Sequence, residues 1–311
     1  MSIYGKSPAF LSFLILILSL SPVLAQESID LLTVEGRYGL PQSYEHTFDG
    51  KATEITSMVN LKAPVVFNEN NIWYNDLTYN YFAVNNDITM PDQMANPIRL
   101  HGFILQTGWV HRFSSSSAIQ VLLAPRYMTD FSGSGLSRWQ MGGIFMYEKI
   151  FRDDLMMRFG ALYNQELGGP FVVPLVFVDW HFAERWSLTG MLPIYAKLKY
   201  QVNPNFSTGL AFFGLITSYK LGNAAYAGDY MERTSIDPSL FARLRVAGNL
   251  HLEGRLGYAI DRKYEQYAAD QTVPFRISII KFGDNRVPEN VTFGSGMFAS
   301  LRLVYNMPLG Q

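Results

Sequence analysis

Apolar and polar residues alternate along many segments of the chain, and this period of two constrains the fold more than any other feature. Leu32, Val34 and Tyr38 share one face of an extended segment, and Glu35 and Arg37 share the other. The same alternation runs through residues 54–62, 250–260 and 299–307. Helical periodicity is not visible over any comparable length. The sequence therefore predicts an all-β fold whose strands each have one apolar face.

The connections between these segments alternate in length, as in an antiparallel up-and-down barrel that has short turns at one rim only. Tight turns are expected at Asn68 to Asn71, Ser114 to Ser117, Arg152 to Asp154, Ala183 to Arg185, Asn203 to Asn205 and Gly248 to Asn249. Longer connections are expected at Pro41 to Lys51, Ala83 to Pro97, Thr129 to Ser137, Asn164 to Pro170, Pro193 to Ala196, Gly222 to Thr234 and Asp261 to Gly296. This pattern predicts a transmembrane β-barrel of about 14 strands with both ends at the short-turn rim. A barrel of about 12 strands is the alternative, because Trp186 to Tyr200 could form one bent strand.

The N-terminus has the order of features found in secretory signal peptides. Lys6 precedes an apolar stretch from Ala9 to Leu20, and Val23-Leu24-Ala25 precedes Gln26. The apolar stretch is shorter than the roughly 20 residues that a spanning helix needs. We therefore expect a cleaved signal peptide over residues 1–25, a single barrel domain over residues 26–311, and location in the bacterial outer membrane.

Composition agrees with a surface that faces lipid. Charged residues make up 16% of the chain and aromatic residues 14%, whereas charged residues reach about 25% in average soluble domains. The absence of cysteine removes disulfides and thiolate metal ligands. A net charge of −1 leaves no basic excess for nucleic acid, which we do not expect as a partner.

Tryptophans lie where a membrane barrel would need them. Trp73, Trp109, Trp180 and Trp186 all fall within a few residues of a predicted short turn. Tryptophan prefers the membrane–water interface, where one end of its ring can stay hydrated. These four residues are therefore predicted to form an interfacial aromatic belt.

Some segments depart from simple alternation. Phe171 to Phe177 is apolar on both faces, and its Pro174 lacks the N–H that a closed strand ladder would use. Phe275 to Phe282, inside the last long connection, has the pattern of an extra hairpin or a plug in the barrel. Alternating strands also occur in two-layer soluble sandwiches, which stay open as a second interpretation of the fold.

Several runs in the second half of the chain carry a family resemblance. They are Gly169-Pro170-Phe171 through Asp179-Trp180, Glu184-Arg185-Trp186-Ser187-Leu188, Leu192-Pro193, Ala196-Lys197-Leu198-Lys199-Tyr200, Asn203, Gly254 to Tyr264 and Phe298 to Tyr305. These runs resemble an uncharacterised family of outer-membrane β-barrel proteins of Gram-negative bacteria, classed only as a domain of unknown function. The resemblance implies a fold and a location. It supplies no activity, ligand or catalytic residue.

If the apolar faces meet lipid, the opposite faces place a set of charged residues in the lumen. The lumen-lining candidates are Arg37, Glu35, Glu54, Lys62, Arg158, Lys197, Lys199, Arg243, Arg245, Glu253, Arg255 and Arg302. Basic residues outnumber acidic ones in this set, so the lumen is predicted to be net basic. A charged wall in a tube of low dielectric selects solutes by the sign of their charge.

Two functions follow from this interior. The first is a passive channel or small-solute transporter, with outer-membrane lipid around it and small anionic solutes inside it. The alternative is a filled structural or adhesion barrel, in which salt bridges occupy the lumen and the long outer loops bind a partner. The sequence identifies neither the solute nor the loop partner.

The sequence does not favour catalysis, and we expect no enzyme, cofactor or metal site. A Gly-x-Ser-x-Gly nucleophile elbow is absent from the sequence. His101 and His111 are ten residues apart on one strand face, a separation of about 33 Å that one metal ion cannot bridge. No loop has the Asp-x-Asp-x-Asp-Gly spacing of a strong calcium site.

Overall fold

The computed structural model of the protein describes residues 28–44, 48–133, 138–226 and 228–308. The predicted signal peptide over residues 1–25 lies outside these ranges and stays a prediction. The described part of the chain has one short 3-10 helix, Ala224–Tyr226. None of its helices has the length and hydrophobicity of a membrane span.

Strands make up most of the described residues. The first half of the chain contains β1 Ser28–Ser43, β2 Lys51–Lys62, β3 Val65–Asn68, β4 Asn71–Asn86, β5 Ile98–Ser114, β6 Ser117–Leu123, β7 Arg126–Thr129, β8 Trp139–Gln140, β9 Gly142–Arg152 and β10 Leu155–Glu166. The second half contains β11 Gly169–Ala183, β12 Trp186–Leu192, β13 Tyr195–Asn203, β14 Phe206–Lys220, β15 Tyr230–Ile236, β16 Ser239–Ala247, β17 Leu250–Tyr267, β18 Phe275–Ile277, β19 Ile280–Phe282 and β20 Gly296–Pro308.

These segments form a closed antiparallel barrel with fourteen wall positions. Four positions are shared by two consecutive segments: β2 with β3, β6 with β7, β8 with β9, and β15 with β16. The barrel closes because β1 pairs with β20 from Ser28–Pro308 to Gly39–Phe298. The prediction of about 14 strands is confirmed, and the alternatives of 12 strands and of a soluble sandwich are wrong.

The turns confirm the predicted topology at one rim and correct it at the other. All six predicted short turns join consecutive strands. Two of the seven predicted long connections are wrong, because Leu167–Gly168 and Pro193–Ile194 are turns of two residues. Proline and glycine in these segments form tight turns rather than loops. The short-turn rim, which in such barrels is periplasmic, holds both ends of the barrel.

The alternation in the sequence matches the two surfaces of the wall. Leu240, Leu256 and Leu301 point outward and are 63%, 63% and 56% exposed, which is the pattern of a lipid-facing surface. Their neighbours Phe241, Glu253 and Ser300 are buried inside. A strand that must meet hydrocarbon on one side and a packed interior on the other needs this period of two.

The outer halves of β14 and β15 leave the wall and cross the interior. Lys220, at the end of β14, pairs with Thr129 of β7 on the far side of the barrel, and the Asp130 N–H donates to the Lys220 carbonyl oxygen at 3.2 Å. The rings of Tyr219 and Phe82 lie 6.1 Å apart between their centroids. The outer half of the barrel is therefore divided in two by a strand pair.

Beside this crossing, the wall is low. β12 and β13 have only seven and nine residues, and β11 and β14, which flank them, have fifteen each. The last pair between β11 and β12 is Val176–Leu192. Higher on β11, Phe171 and Val172 pair instead with Arg276 and Ile277 of β18. β18 and β19 thus form the predicted extra hairpin, which descends from the last long connection into the wall.

Candidate functional site

Glu253 is the centre of the first charged cluster inside the barrel. Its carboxylate lies 2.5 Å from Lys197 Nζ and 2.6 Å from Arg255 Nη2, with Arg302 Nη1 at 3.4 Å and Arg243 Nη1 at 3.9 Å. Two further carboxylates share these bases. The clearest ion pairs of each are Asp30 with Arg243 at 2.7 Å and Glu35 with Arg302 at 2.9 Å.

Glu54 is the centre of the second charged cluster. Its side chain is fully buried and lies 3.3 Å from Arg37, 3.2 Å from Arg233 and 3.2 Å from Arg262. The Tyr264 hydroxyl also donates to it at 2.6 Å. Arg37 forms a second ion pair, with Asp237. The two clusters join strands from opposite ends of the chain. Because their charged groups are buried, the loss of one partner would leave the other as an uncompensated charge.

A small cavity separates the two clusters. It has a volume of about 100 Å³, and its charged lining comprises Glu35, Arg37, Arg233, Asp237, Arg255 and Arg302. The clusters together hold seven basic groups and five carboxylates. Basic charge therefore exceeds acidic charge around this cavity, which we call the vestibule.

Apolar side chains fill the outer half of the barrel above Glu54. We call this group the outer core: it includes Phe82 and Val84 of β4, Leu100 of β5, Met128 of β7, Tyr219 of β14, Met231 of β15 and Tyr264 of β17. All of them are buried, six of them at 0% exposure. The strands that cross the interior contribute Tyr219 and Met231 to the outer core. The crossing strands therefore help to fill the outer half of the barrel.

A second apolar group lies on the other side of the crossing strands. We call it the side compartment: Leu122 of β6, Ile144 and Met146 of β9, Met156 and Leu162 of β10, and Phe171, Val173, Leu175 and Phe177 of β11. Tyr74, Ile150, Met191, Ile194 and Ile216 pack against it. These residues face the interior of the barrel, where a water-filled pore would have polar side chains. The apolar face of Phe171 to Phe177 that alternation did not explain is the wall of this compartment.

A third charged cluster ties the β18–β19 hairpin to the crossing strands. Glu232 of β15 accepts hydrogen bonds from Arg276 at 2.7 Å, Lys281 at 2.9 Å and Arg286 at 3.1 Å. Arg286 also donates to Asp284 at 2.9 Å. The hydrogen bonds from Arg286 lower the pKa of the Asp284 carboxyl below its ordinary value, because they stabilise the ionised form.

The structure brings most of the predicted lumen residues together and separates a few. Glu35, Arg37, Glu54, Lys197, Arg243, Glu253, Arg255 and Arg302 lie in the first two clusters. Arg158 pairs with Glu148 at 2.7 Å in another part of the wall. Lys62 and Lys199 are partly buried, and Arg245 is exposed near the periplasmic rim. The last three belong to neither of the charged clusters described.

Sequence reasoning missed Asp30, Arg233, Asp237 and Arg262, which complete the clusters. Arg233 and Arg262 fell inside predicted loops, whereas β15 begins at Tyr230 and β17 continues to Tyr267. Before Asp261, the odd-numbered residues of β17, such as Glu253 and Arg255, point inward. Asp261 has a positive φ of 48°, and after it the even-numbered residues Arg262 and Tyr264 point inward. An irregularity of this kind reverses the faces of a strand, so alternation alone could not place them.

The predicted interfacial tryptophans lie on the outer surface near the periplasmic turns. Trp73 and Trp109 are 40% and 51% exposed, and their indole N–H groups donate to Thr107 and Asn71 at 3.0 Å each. The Trp186 ring lies 4.9 Å from that of Tyr200 between centroids. Trp180 is half-buried against Phe182 at 5.1 Å.

The histidines do not come together as a metal-binding group in the described part of the chain. His101 lies among outward-facing aromatics, with its Nδ1 2.9 Å from the Tyr79 hydroxyl. His111 contacts Asn71 and the ring of Phe113 near the periplasmic rim. Among the described residues there is no group of three His, Cys, Asp or Glu side chains placed to hold a metal ion. His46 lies outside the described residues.

A comparison with family profiles matches residues 33–277 to the Domain of unknown function (DUF6268). The chain belongs to this family. The match covers the barrel from β1 to β18, which includes both charged clusters except Asp30 and Arg302. No curated protein matches the chain.

Solved structures similar to this DUF6268 protein are outer-membrane β-barrels. One is an outer-membrane channel from Pseudomonas putida F1, with 10% identity, a TM-score of 0.45, and coverage of 93% of this chain and 100% of that chain. The NanC porin has 9% identity and a TM-score of 0.38, covering 88% and 98%. The TodX monoaromatic hydrocarbon channel, in a deltaS2 mutant, has 11% identity and a TM-score of 0.39, covering 89% of each chain.

Proposed function

We propose that this DUF6268 protein is a non-enzymatic channel of the bacterial outer membrane, with an axial path that favours small anionic solutes. The observation that carries the proposal is the vestibule, a cavity of about 100 Å³ whose charged lining is four arginines and two carboxylates. An excess of one charge in a low-dielectric tube attracts counter-ions and repels ions of like charge. The outward apolar surface and the closure of the barrel between β1 and β20 support a location in the membrane.

The axial path is closed at its outer end in this conformation. Phe82, Leu100, Tyr219 and Met231 meet between the vestibule and the outer rim and are buried. Conduction along the axis therefore requires β14 and β15 to move away from β4 and β5. The proposal is a channel that opens intermittently, in contrast to a permanently open pore.

The outer core also favours a second candidate, a filled barrel whose outer connections bind a partner. Its packing and the buried ion pairs of Glu54 are what a purely structural interior would have. The two candidates differ in one measurable property, which is the passage of ions.

Single-channel recording in planar bilayers tests the proposal. We expect discrete conductance steps and, in a salt gradient, a reversal potential displaced toward anion selectivity. Arg302→Gln removes a base that lies 2.9 Å from Glu35 and 3.4 Å from Glu253, so it should reduce the anion preference. Arg152→Gln is the matched control, because Arg152 is 59% exposed at a periplasmic turn and pairs only locally with Asp154. It should leave the selectivity unchanged.

The outcomes separate the candidates, provided that a heat-modifiable shift on gels shows that each variant is folded. Folded protein without conductance steps at any applied voltage refutes the channel and favours the filled barrel. Steps with cation selectivity, or equal effects of Arg302→Gln and Arg152→Gln, refute the role of the vestibule.

A further inference from the structure

The barrel wall has a notch above the β12–β13 turn. β11 loses its partner β12 beyond Val176, and β14 loses its partner β13 beyond Phe213. The Gly214 N–H still donates to the Ile194 carbonyl at 2.7 Å, which marks the floor of the notch. We call this opening the lateral notch: its sides are Val172–Leu175 of β11 and Gly214–Ser218 of β14.

Pro174 lies on β11 beside the notch, where its lack of a backbone N–H breaks no strand pairing. The Val172 carbonyl accepts a hydrogen bond from the Ser278 N–H at 2.9 Å, on the side of β11 that faces the notch. Because backbone groups alternate sides along a strand, the nitrogen of Pro174 faces the same way. A residue with an N–H would present an unpaired donor to hydrocarbon there, and proline has none. The proline that seemed incompatible with a closed ladder is evidence that the ladder is open at this point.

On the other side of the notch, side chains from inside the barrel form hydrogen bonds with the backbone of β14. The Ser218 N–H donates to Glu166 at 2.9 Å, and the Ser218 carbonyl accepts from Gln140 at 2.8 Å. These two backbone groups would have paired with a taller β13. Because interior side chains satisfy them, β14 is stable away from the wall and the notch does not close on itself.

The side compartment reaches the floor and both sides of the notch. Ile194 at the floor and Ile216 of β14 pack against it, and Val173 and Leu175 of β11 belong to it. It also contains Met146 and Met156, with Met191 against its edge. Methionine side chains are flexible and repack around ligands of differing shape. The notch therefore opens onto an apolar interior that can adapt.

The β18–β19 hairpin lies in the notch, where few backbone pairs join it to the wall. β18 pairs with β11 at only two positions, and among the described residues β19 pairs with no strand other than β18. Ile279 at the tip and Ile280 are 72% and 55% exposed. A strand edge without a partner is costly in hydrocarbon, so the wall is weakest beside β19.

The notch lies within the span of the membrane. Trp180 marks the periplasmic interface on β11, and about 9 to 11 residues of a tilted strand cross a bilayer. Counting along β11 from Trp180 places the outer interface near Pro170, so Val172–Leu175 lie in the outer leaflet. The apolar hairpin tip, which points down from Val172, faces the same hydrocarbon.

We propose that the lateral notch is an entry site for molecules with a hydrocarbon body, which pass between the outer leaflet and the side compartment when the β18–β19 hairpin moves aside. The hairpin is held by the ion pairs of Glu232, and the side compartment binds the apolar body. This inference goes beyond the axial channel and does not depend on conduction through the vestibule.

Thiol labelling in lipid vesicles tests the proposal, because the natural chain has no cysteine. Leu175→Cys places one thiol in the side compartment beside the notch. Val304→Cys is the matched control, since both residues are 1% exposed and point inward, and Val304 lies on β20 away from the notch. The probes are a maleimide on a dodecyl chain, dissolved in the bilayer, and a small cationic thiol reagent in the water.

We expect the dodecyl maleimide to label Leu175→Cys at least about tenfold faster than Val304→Cys, and the aqueous reagent to show no such preference. Adding Lys281→Gln, which removes one base from Glu232, should raise the labelling of Leu175→Cys severalfold and leave Val304→Cys unchanged, because it raises the fraction of open hairpins. Equal labelling of the two thiols by the dodecyl probe refutes the entry site. Preferential labelling that Lys281→Gln does not change refutes the hairpin as its gate.

Discussion

Glu54→Gln tests whether the second charged cluster holds the divided barrel together. Glu54 is fully buried and is the shared partner of Arg37, Arg233 and Arg262, at 3.2–3.3 Å. The substitution keeps the shape of the side chain and removes its charge. Arg37 retains Asp237, but Arg233 and Arg262 lose the carboxylate that they share.

The expected cost follows from the number of buried bases left without this carboxylate. Removing one partner of a buried ion pair destabilises proteins by about 3–5 kcal/mol, because the other charge stays desolvated. Glu54→Gln removes the partner of two arginines that are at most 2% exposed, so we expect a loss of at least about 3–5 kcal/mol in the free energy of unfolding. The hydrogen bond from Tyr264 can persist to the amide oxygen.

Equilibrium unfolding in urea, followed by tryptophan fluorescence in lipid vesicles, measures this change. Glu148→Gln is the control, because Glu148 pairs with Arg158, which is 22% exposed and can stay hydrated, so the loss should be much smaller. Combining Glu54→Gln with Arg233→Met should recover part of the stability, because it removes one of the buried charges that lost its carboxylate partner. Equal losses for Glu54→Gln and Glu148→Gln, or no recovery in the double variant, would show that the cluster does not act as we argue.

Three other predictions concern the lipid face, the crossing strands and the hairpin. Leu256→Lys should cost about 2–4 kcal/mol in vesicle unfolding experiments, against a smaller loss for Leu256→Ala, because Leu256 is 63% exposed on the lipid face. Gly222→Val should raise single-channel conductance, since a Cβ at Gly222 would stand 1.5 Å from the Ser132 carbonyl oxygen and force β14 away from its crossing; unchanged conductance would count against the outer closure. Asp284 has a lowered pKa, so the stability that its carboxylate contributes is present above its ordinary pKa and is lost only as pH falls through the lowered value. Amide exchange of the hairpin should therefore stay slow at about pH 5 and become faster in Asp284→Asn; faster exchange already at about pH 5 in the natural protein would contradict this.

Much of the fold could be predicted from the sequence because it depends on local patterns. Alternation in segments such as Leu32 to Leu40 assigns one face to lipid, and the polar two-residue turns at the periplasmic rim need no distant contact. Eight of the predicted lumen residues, among them Arg37 and Glu253, lie in the two charged clusters for the same reason. Strand number followed from counting these local units.

The tertiary structure decided how the interior is divided. The tight turn at Pro193-Ile194 makes β12 and β13 short. The irregularity at Asp261 turns Arg262 and Tyr264 toward the interior. The crossing of β14 depends on hydrogen bonds between the backbone of Ser218 and the side chains of Glu166 and Gln140, which are far away in sequence. Local sequence patterns report which face of a strand is apolar, because lipid contacts every strand alike. They do not report which interior side chains meet, because that depends on long-range pairing that only the folded barrel creates.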